Sequence, residues 1–361
     1  MTDIAARRLR AQRLSGEGFA TAEEAVRWMG AVQSQDYAGA KWALGLRTRG
    51  LTDADVDRLF DAGAILRTHV MRPTWHFVLP DDVRWLLELT APRVRAAMAA
   101  IDRRIGVDAV LLRRSRAALE AVLRDGTFLT RNELGVALER AGIPLAGQPL
   151  AHVVSHAELD AVIVSGPRRG RQFTYALMDE RAPNARRLDR DEALAELARR
   201  YFTSHGPAQL PDFTWWSGLT VADARRGVDL AGPALAREVI DGRPYWRAPA
   251  EPPPASGEPA AHLLPNYDEF LVAYRDRSAA LHPGLDTSPL PRESVLTNVV
   301  VVDGLVRCGW RRRPARGGVV VELGPLDATG PAVGAALTRA AEDLGRFLGA
   351  PASIVPITSR H

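Results

Sequence analysis

Helix start signals recur along the first two thirds of the chain. Thr21-Ala-Glu-Glu24 and Thr130-Arg-Asn-Glu133 both have the form of a capping box, in which a hydroxyl and a carboxylate three residues later bind free backbone amides. Behind the first box, apolar residues recur at helical spacing and predict an amphipathic helix over residues 22–35. The pattern therefore predicts several short amphipathic helices in this part of the chain.

Strand-like segments follow the helical runs. Residues 65–78 are rich in β-branched and aromatic side chains, and they come after a helix that Thr52 can cap. Residues 166–177 combine a Gly-Pro turn, three arginines and a strand pattern, as a basic wing would. A third helical run begins at Asp191. The order of helices and then short strands is typical of a winged helix-turn-helix, so its repetition predicts three such units.

The pattern changes after about residue 230. Asp241-Gly242 and Asp303-Gly304 each lie between strand-like runs, which indicates two hairpins. Residues 319–323 form another candidate strand, and residues 331–349 have the pattern of a closing amphipathic helix. The predicted fold is α+β, with three tandem winged helix-turn-helix units followed by a C-terminal antiparallel β-barrel or sheet with a closing helix.

The expected domain boundaries follow these changes. Residues 1–100 form the first winged-helix unit with an N-terminal helix, and residues 101–185 form the second. Residues 186–232 form the third unit, which later strands can complete, and residues 233–361 form the β-rich domain.

Composition excludes several classes of protein. With 46% hydrophobic and 25% charged residues, the chain is ordinary for a globular protein. No apolar run approaches the ~18 residues of a membrane span, and no apolar segment follows the basic N-terminus as in a secretory signal. We therefore expect a protein without a membrane partner, located in the cytoplasm and associated with the nucleoid.

No metal or cofactor is expected. Cys308 is the single cysteine, so neither an internal disulfide nor a multi-cysteine zinc site can form. His152 and His156 lie four residues apart, but without a third ligand nearby, packing or hydrogen bonding is the favoured interpretation. Motifs of kinases, serine hydrolases and zinc proteases are missing. For the carboxylate pair Asp268-Glu269, a turn or cap is favoured over an acid/base couple.

The segment Gln33-Ser34-Gln35 is expected at the end of the first predicted helix. Alternate residues near a helix end can both face a cleft and offer two carboxamides, each of which donates and accepts hydrogen bonds. From the residues alone, a polar helix terminus is the simpler interpretation. For Trp75-His76 and Trp215-Trp216 the sequence also allows two interpretations, core residues or base-stacking surfaces.

A family resemblance covers almost the whole chain. The run from Gln33 through Gln35 and Gly39 to Trp42 resembles the signature of the AlkZ/YcaQ-like winged-helix DNA glycosylases, which carry a Gln-x-Gln or Gln-x-Asp catalytic motif. Further matches follow in order, among them Phe213-Thr-Trp-Trp-Ser-Gly-Leu219 and Leu264-Pro-Asn-Tyr-Asp-Glu269. The middle residue of the motif, usually aliphatic, is a serine here. The resemblance implies the same three winged helices and β-barrel.

The resemblance also implies an activity. Family members excise N7-alkylguanine-type lesions from double-stranded DNA, including bulky natural-product adducts and, in some, interstrand crosslinks. Gln33 and Gln35 would then be catalytic: they would position the attacking water and orient their carbonyl dipoles toward an oxocarbenium-like sugar, leaving an abasic site. For Asp36, a helix cap is favoured over an electrostatic role. A part in antibiotic self-resistance agrees with family habits.

The basic residues narrow this expectation. Lys41 is the only lysine among 47 basic residues, so only Lys41 and the N-terminal amine could form a Schiff base, and we expect a monofunctional glycosylase. Because one chain with three winged units could surround DNA, we expect it to act as a monomer. Arginine suits bidentate phosphate contacts, although a solvated basic loop explains the wing equally well. The residues expected to contact DNA are Lys41, Trp42, Arg72, His76, Arg168, Arg169, Arg171, Arg311, Arg312 and Arg313.

Two other classes of function remain open at this point. One is a winged-helix transcription regulator, which would bind operator DNA through a recognition helix and catalyse nothing. The other is a non-catalytic scaffold that keeps the fold. An enzyme would discriminate damaged from intact duplex, whereas a regulator would select one sequence.

Overall fold

The computed structural model describes residues 4–250, 257, 259–282, 297–326 and 330–356. Three helical units, each with a small sheet, precede a tail in which strands predominate. We refer to residues 4–106 as the first unit, 107–185 as the second, 186–247 as the third and 259–356 as the tail. In these ranges, no helix has the length and apolar character needed to cross a membrane.

The first unit combines five helices with a three-stranded antiparallel sheet. Its helices are α1 (Ile4–Ala11), α2 (Ala22–Met29), α3 (Tyr37–Gly45), α4 (Asp53–Ala62) and α5 (Pro80–Ile105). Its strands are β1 (Val32–Gln33), β2 (Leu66–His69) and β3 (Trp75–Val78). Because the strand order is β1-β3-β2, β1 lies at an edge of this sheet.

The second unit repeats this arrangement. Its elements are α6 (Ala109–Val122), β4 (Leu129–Thr130), α7 (Arg131–Arg140), α8 (Gly147–Leu159), β5 (Ile163–Ser165), β6 (Thr174–Leu177) and α9 (Met178–Arg181). The strand order β4-β6-β5 matches that of the first sheet, and both pairings are antiparallel. The predicted repetition of helices and short strands is therefore present, while its assignment as a winged helix stays a prediction.

The third unit is smaller. Its elements are α10 (Arg190–His205), α11 (Leu210–Ser217), α12 (Val221–Ala231), β7 (Ala236–Ile240) and β8 (Arg243–Arg247). The two strands form an antiparallel hairpin, and Ala208 forms a β-bridge with Trp246 of β8. Strands beyond residue 232 thus attach to this unit.

The tail forms an open, mixed sheet. Its elements are β9 (Ala261–Leu264), α13 (Glu269–Val272), β10 (Val299–Val302), β11 (Leu305–Ala315), β12 (Gly318–Leu323), α14 (Pro331–Leu348) and β13 (Ala352–Pro356). The order is β13-β12-β11-β10-β9, and among the described residues the two edge strands do not pair. Of the two expected forms, the barrel is therefore wrong and the sheet is present, although one of its four strand pairings is parallel. Because α14 crosses over between β12 and β13, those strands run parallel, as such a connection requires.

Local signals in the sequence place most elements correctly. The Thr21 and Thr130 capping boxes are both formed, with hydroxyl and carboxylate each accepting a backbone N–H. Both Asp-Gly pairs turn hairpins, and Asp241 and Asp303 have the positive φ (49° each) that this kind of turn demands. The closing helix α14 is confirmed as well.

The first unit and the tail share one hydrophobic core. Trp42 on α3 packs against Phe347 on α14, with ring centroids 5.1 Å apart, and its indole N–H donates to the carbonyl of Leu263 at 2.7 Å. At Gly45 a Cβ would lie 2.6 Å from the Phe347 ring, so glycine permits the close approach of α3 and α14. This core holds the tail against the sheet that contains β1.

We expect Phe347→Ala to lower the free energy of unfolding by about 3–5 kcal/mol, because it removes a buried ring from the core shared by the first unit and the tail. Urea denaturation monitored by tryptophan fluorescence measures this difference. Val110→Ala is the control, since Val110 is 54% exposed and its truncation should cost less than about 0.5 kcal/mol. Equal effects of the two substitutions would contradict a shared core.

Candidate active site

The Gln33-Ser34-Gln35 segment lies on a strand and the bend after it, not on a helix. Helix α2 ends at Met29, where Gly30 adopts φ +80° and terminates it, so the predicted helix over residues 22–35 is too long. Gln33 is the second residue of β1 and is 7% exposed, whereas Gln35 is exposed in the bend before α3. One carboxamide is therefore buried and its neighbour reaches solvent.

Four contacts fix the backbone of this segment. In the antiparallel ladder, Gln33 lies opposite His76, and the Ser34 N–H donates to the Trp75 carbonyl at 2.7 Å. Arg67 Nε donates to the Ser34 carbonyl at 3.1 Å. On the outer edge of β1, the Gln33 N–H donates to the carboxylate of Glu269 at 2.8 Å. The segment is thus held from the sheet on one side and from the tail on the other.

Asp36 ends the segment as a helix cap. It is the N-cap of α3, and its Oδ1 accepts the Gly39 N–H at 3.0 Å. Its other carboxylate oxygen accepts a hydrogen bond from Asn266 of the tail, also at 3.0 Å. The interpretation of Asp36 as a cap is confirmed, and the cap is itself tied to the tail.

The Gln33 side chain lies among buried polar atoms without partners. Its Oε1 is buried and accepts no hydrogen bond from any described group, and the same holds for the Nε2 atom of His76. His76 Nδ1 lies 3.0 Å from the Thr74 carbonyl, which can only accept, so Nδ1 carries the proton and Nε2 is an acceptor. Burial lowers the pKa of His76 to about 3, so its imidazole is neutral.

Arg72 and Trp215 lie near these groups. Arg72 is half-buried, with Nε and Nη2 unpaired among the described residues, and its guanidinium carbon is 5.9 Å from the Trp215 ring. Trp215 is 43% exposed, yet its indole N–H donates to the Val272 carbonyl at 2.9 Å. Trp216, by contrast, is fully buried. Of the two tryptophans, one is a core residue and the other presents a fixed aromatic surface.

Three of the predicted DNA contacts are wrong because their side chains are buried. Lys41 is 4% exposed, and its ammonium forms ion pairs with Asp53 at 2.8 Å and Asp57 at 2.9 Å, so it presents no charge to a phosphate. Trp42 is 5% exposed in the shared core. His76 is fully buried beside Gln33 and cannot reach the surface of a duplex.

The arginines of 166–177 differ from one another. Arg168 pairs with Asp57 at 3.1 Å and covers the Tyr37 ring, which ties it into the first unit and removes it from the set of free phosphate contacts. Arg169 is exposed but pairs with Glu133. Arg171 is exposed and forms no ion pair within the described part of the chain.

The run Arg311–Arg313 lies on β11, where the hairpin extends beyond the core. All three side chains are exposed, but alternation along the strand places Arg311 and Arg313 on one face and Arg312 on the other. Arg311 and Arg313 both pair with Glu322 on β12. Arg312 has no such pair among the residues described here.

The two helical histidines have a structural partner. His152 Nδ1 lies 2.6 Å and His156 Nε2 lies 2.9 Å from the two carboxylate oxygens of Asp102 on α5. Among the described residues there is no group of metal-ligating side chains large enough to hold an ion. Hydrogen bonding, the favoured interpretation of this pair, agrees with these contacts.

Glu269 is a site residue that the sequence did not predict. Asp268 is the cap of α13 and accepts two hydrogen bonds from Arg47, as a turn or cap device would. Its neighbour Glu269 instead reaches the Gln33 N–H and the Trp216 indole N–H. No local pattern signals this role, because Gln33 precedes Glu269 by 236 positions.

This arrangement suits polar chemistry that needs no strong base. A carboxamide, an uncharged imidazole and an unpaired guanidinium can hold and orient a water molecule or a sugar oxygen. No lysine amine is available beside Gln33, since the single lysine is buried in its ion pairs.

Comparison with known proteins identifies the family and the fold. A sequence model of the family described as "DNA glycosylase AlkZ-like" matches residues 26–347. An interstrand DNA cross-link repair glycosylase of Streptomyces sahachiroi is 24% identical over 327 residues, covering 84% of this chain and 85% of that protein. The solved structure of the Streptomyces sahachiroi DNA glycosylase AlkZ covers 98% of both chains with a TM-score of 0.80 at 22% identity, a likeness of fold.

His76 and His262 predict a pH dependence of stability. Desolvation lowers the pKa of His76 to about 3 and that of His262 to about 4, whereas both titrate near 6.5 when unfolded. The unfolded chain then binds more protons below pH 6.5, so this stability is present above pH 6.5 and is lost as the pH falls. Each histidine should cost about 2 kcal/mol between pH 7 and pH 5.

Urea denaturation at pH 7, 6 and 5 measures this loss. In a His262→Gln variant, the dependence of the free energy of unfolding on pH should decrease by about 1.4 kcal/mol per pH unit below pH 6. A stability that does not change between pH 7 and pH 5 would mean that both imidazoles accept protons in the folded state.

Proposed function

This chain belongs to the family of AlkZ-like DNA glycosylases, and we propose that it excises N7-alkylguanine-type lesions from double-stranded DNA, with Gln33 and Gln35 as its catalytic residues. Membership confirms the predicted DNA glycosylase class. The observation that carries the proposal is the Gln33 carboxamide, whose Oε1 is buried and unpartnered among the described groups while its backbone is fixed from two sides.

The proposed reaction is hydrolysis of the N-glycosidic bond. Alkylation at N7 makes the base cationic, so the bond between the base and C1′ breaks with its electron pair leaving on the base, and the sugar becomes oxocarbenium-like. Water adds to C1′ and loses a proton to solvent, which leaves an abasic site. Gln33 and Gln35 hold this water and direct their carbonyl oxygens toward the positive sugar. A carboxamide is too weak a base to take the proton, and with a cationic leaving group it does not need to.

The ion pairs of Lys41 support a monofunctional enzyme. Strand cleavage by a bifunctional glycosylase requires an amine that attacks C1′ and forms a Schiff base. Lys41 is the single lysine of the chain, and its ammonium is enclosed by Asp53 and Asp57. The abasic site would therefore be the final product.

DNA would bind as a duplex to one copy of the chain. The surface groups that remain suitable are Arg72 beside Trp215, Arg171 with the ion-paired Arg169 near it, and the β11–β12 hairpin with Arg311, Arg312 and Arg313. We infer that the first two units are winged helices, on the basis of their matching strand orders, and that the third is a reduced version. The predicted domain boundaries remain part of this proposal.

Two observations support the proposed lesion. The Streptomyces sahachiroi relative is described as an interstrand DNA cross-link repair glycosylase, and a crosslink through N7 of guanine shares the cationic chemistry of a simple N7 adduct. The exposure of Gln35 and Trp215 is compatible with a bulky lesion that remains in the duplex. Self-resistance of an antibiotic producer is one setting for such an activity.

We expect Gln33→Ala to slow single-turnover excision of 7-methylguanine from duplex DNA by at least about a hundredfold, because the water loses its buried acceptor. Gln35→Ala should slow it as well, while duplex binding persists in both variants. Gln148→Ala is the matched control, since this glutamine is exposed at the start of α8 in the second unit.

The outcomes separate the candidate functions. Excision that neither substitution affects would keep the enzyme and place its catalytic residues elsewhere. Absence of excision from methylated, bulky and crosslinked substrates, together with selection of one DNA sequence, would favour the transcription regulator.

Borohydride trapping tests the monofunctional mechanism. We expect no covalent protein–DNA adduct when the protein is incubated with abasic-site duplex and sodium borohydride, because the buried ion pairs of Lys41 exclude it from C1′. A known bifunctional glycosylase serves as the positive control. An adduct that disappears in Lys41→Ala would overturn the prediction.

A further inference from the structure

Glu269 is a buried carboxylate that has no arginine or lysine partner among the described residues. Its side chain is fully buried, and the one basic group within 4 Å of its oxygens, among the residues described, is His205 Nε2 at 3.6 Å. Arg72 interacts with it electrostatically but forms no ion pair with it. Removing a carboxylate from water costs several kcal/mol unless a counter-ion compensates, so this arrangement calls for an explanation.

The hydrogen bonds of Glu269 require acceptor oxygens. One oxygen accepts the Gln33 N–H at 2.8 Å and the other accepts the Trp216 indole N–H at 2.9 Å, and both of these groups can only donate. Burial by itself raises the pKa of Glu269, but the neighbouring His205 and the Gln33 amide bring it below its usual range. Burial lowers the pKa of His205, which favours its neutral form, while the two donors on Glu269 favour an ionised carboxylate.

The acceptor function alone does not require a charge. The outer N–H of edge strand β1 could be satisfied by a backbone carbonyl or a glutamine side chain at a smaller desolvation cost. Glu269 also cannot act as a nucleophile or a base, because both oxygens are occupied and the side chain does not reach solvent. What a carboxylate adds here is negative charge, one hydrogen bond away from the backbone of Gln33.

Arg72 interacts electrostatically with Glu269 without forming an ion pair, and among the described residues the other neighbouring groups add no competing charge. The adjacent Asp268 is neutralised by Arg47 through two contacts of 2.8 Å, and His76 beside Gln33 is kept neutral by burial. In a region with low dielectric constant, a fixed charge acts over several ångströms. A sugar held at the Gln33 carboxamide would therefore experience the field of Glu269.

We propose that Glu269 is a positioning residue for Gln33 whose buried negative charge stabilises the cationic sugar formed during excision. This inference rests on the proposed glycosylase function. The Glu269 carboxylate accepts the backbone N–H of Gln33 and thereby fixes the position of the Gln33 side chain. Its negative charge favours the oxocarbenium-like state over the uncharged sugar. It touches neither the water nor the lesion.

Two abasic-site analogues test the charge directly. Duplexes carry either a pyrrolidine residue, which is protonated and mimics the cationic sugar, or a tetrahydrofuran residue, which has similar shape and no charge. Wild-type protein should bind the pyrrolidine duplex more tightly than the tetrahydrofuran duplex. In Glu269→Gln this ratio of affinities should fall by about tenfold, as expected for loss of a unit charge within about 10 Å, while tetrahydrofuran affinity stays unchanged. Single-turnover excision of 7-methylguanine should slow in parallel.

Trp216→Phe is the matched control, because it removes the other donor to Glu269 but keeps the charge. It should retain the affinity ratio. If Glu269→Gln does not fold, as judged by its thermal transition, Glu269→Asp replaces it: that variant keeps the charge and should retain the ratio with slower excision. A merely structural role would weaken binding of both duplexes together and leave the ratio constant.

Failure of the role of Glu269 can be distinguished from failure of the proposed glycosylase function. An unchanged ratio in folded Glu269→Gln, or a lost ratio in folded Glu269→Asp, overturns the role of Glu269. Excision by wild type without preference for pyrrolidine also overturns it. Wild-type protein that neither excises 7-methylguanine nor prefers pyrrolidine removes the proposed function itself.

Discussion

A buried ion pair between Arg47 and Asp268 determines how the first unit packs against the tail. Both side chains are 1% exposed, and the guanidinium contacts both carboxylate oxygens at 2.8 Å. Arg47 also donates to Gln12, the residue after α1, and to the Ala43 carbonyl of α3, so both of these segments and the tail contact one cation. Since the next residue is Glu269, this pairing sets the carboxylate against the Gln33 amide. The geometry of the candidate site therefore depends on a contact between residues 221 positions apart.

Local signals allowed much of the fold to be predicted, and long-range contacts decided the rest. Capping boxes and Asp-Gly turns act within a few residues, so the starts of α2 and α7 and the two hairpins follow from the sequence. The end of α2 does not, because Gly30 stops a helix that the apolar periodicity would extend. The parallel pairing of β13 also escapes local reasoning, since it depends on the crossover of α14.

The same distinction applies to the site. The motif around Gln33 is visible in the sequence through its resemblance to a family, and Asp36 is recognisable as a cap from its position before a helix. Lys41 illustrates what sequence cannot supply. A single lysine beside the proposed catalytic motif has the chemistry of a phosphate contact, but Asp53 and Asp57 on α4 enclose its ammonium. An excess of arginine likewise says little about DNA binding, because Arg47 and Arg168 serve internal contacts.

A weak catalytic apparatus is consistent with a cationic lesion. Protonation of His76 would add to the positive charge of Arg72 and would repel both an N7-alkylated base and the sugar cation it leaves behind, and the burial of His76 prevents this. The carboxylate of Glu269, which has no arginine or lysine within ion-pair distance among the described residues, changes the electrostatic balance in the same direction without contacting the substrate. The neutral state of His76 and the field of Glu269 both require that water be excluded behind β1. The tail excludes water there by covering the outer edge of β1. A strand edge that would otherwise promote aggregation is thereby converted into the support of the proposed active site.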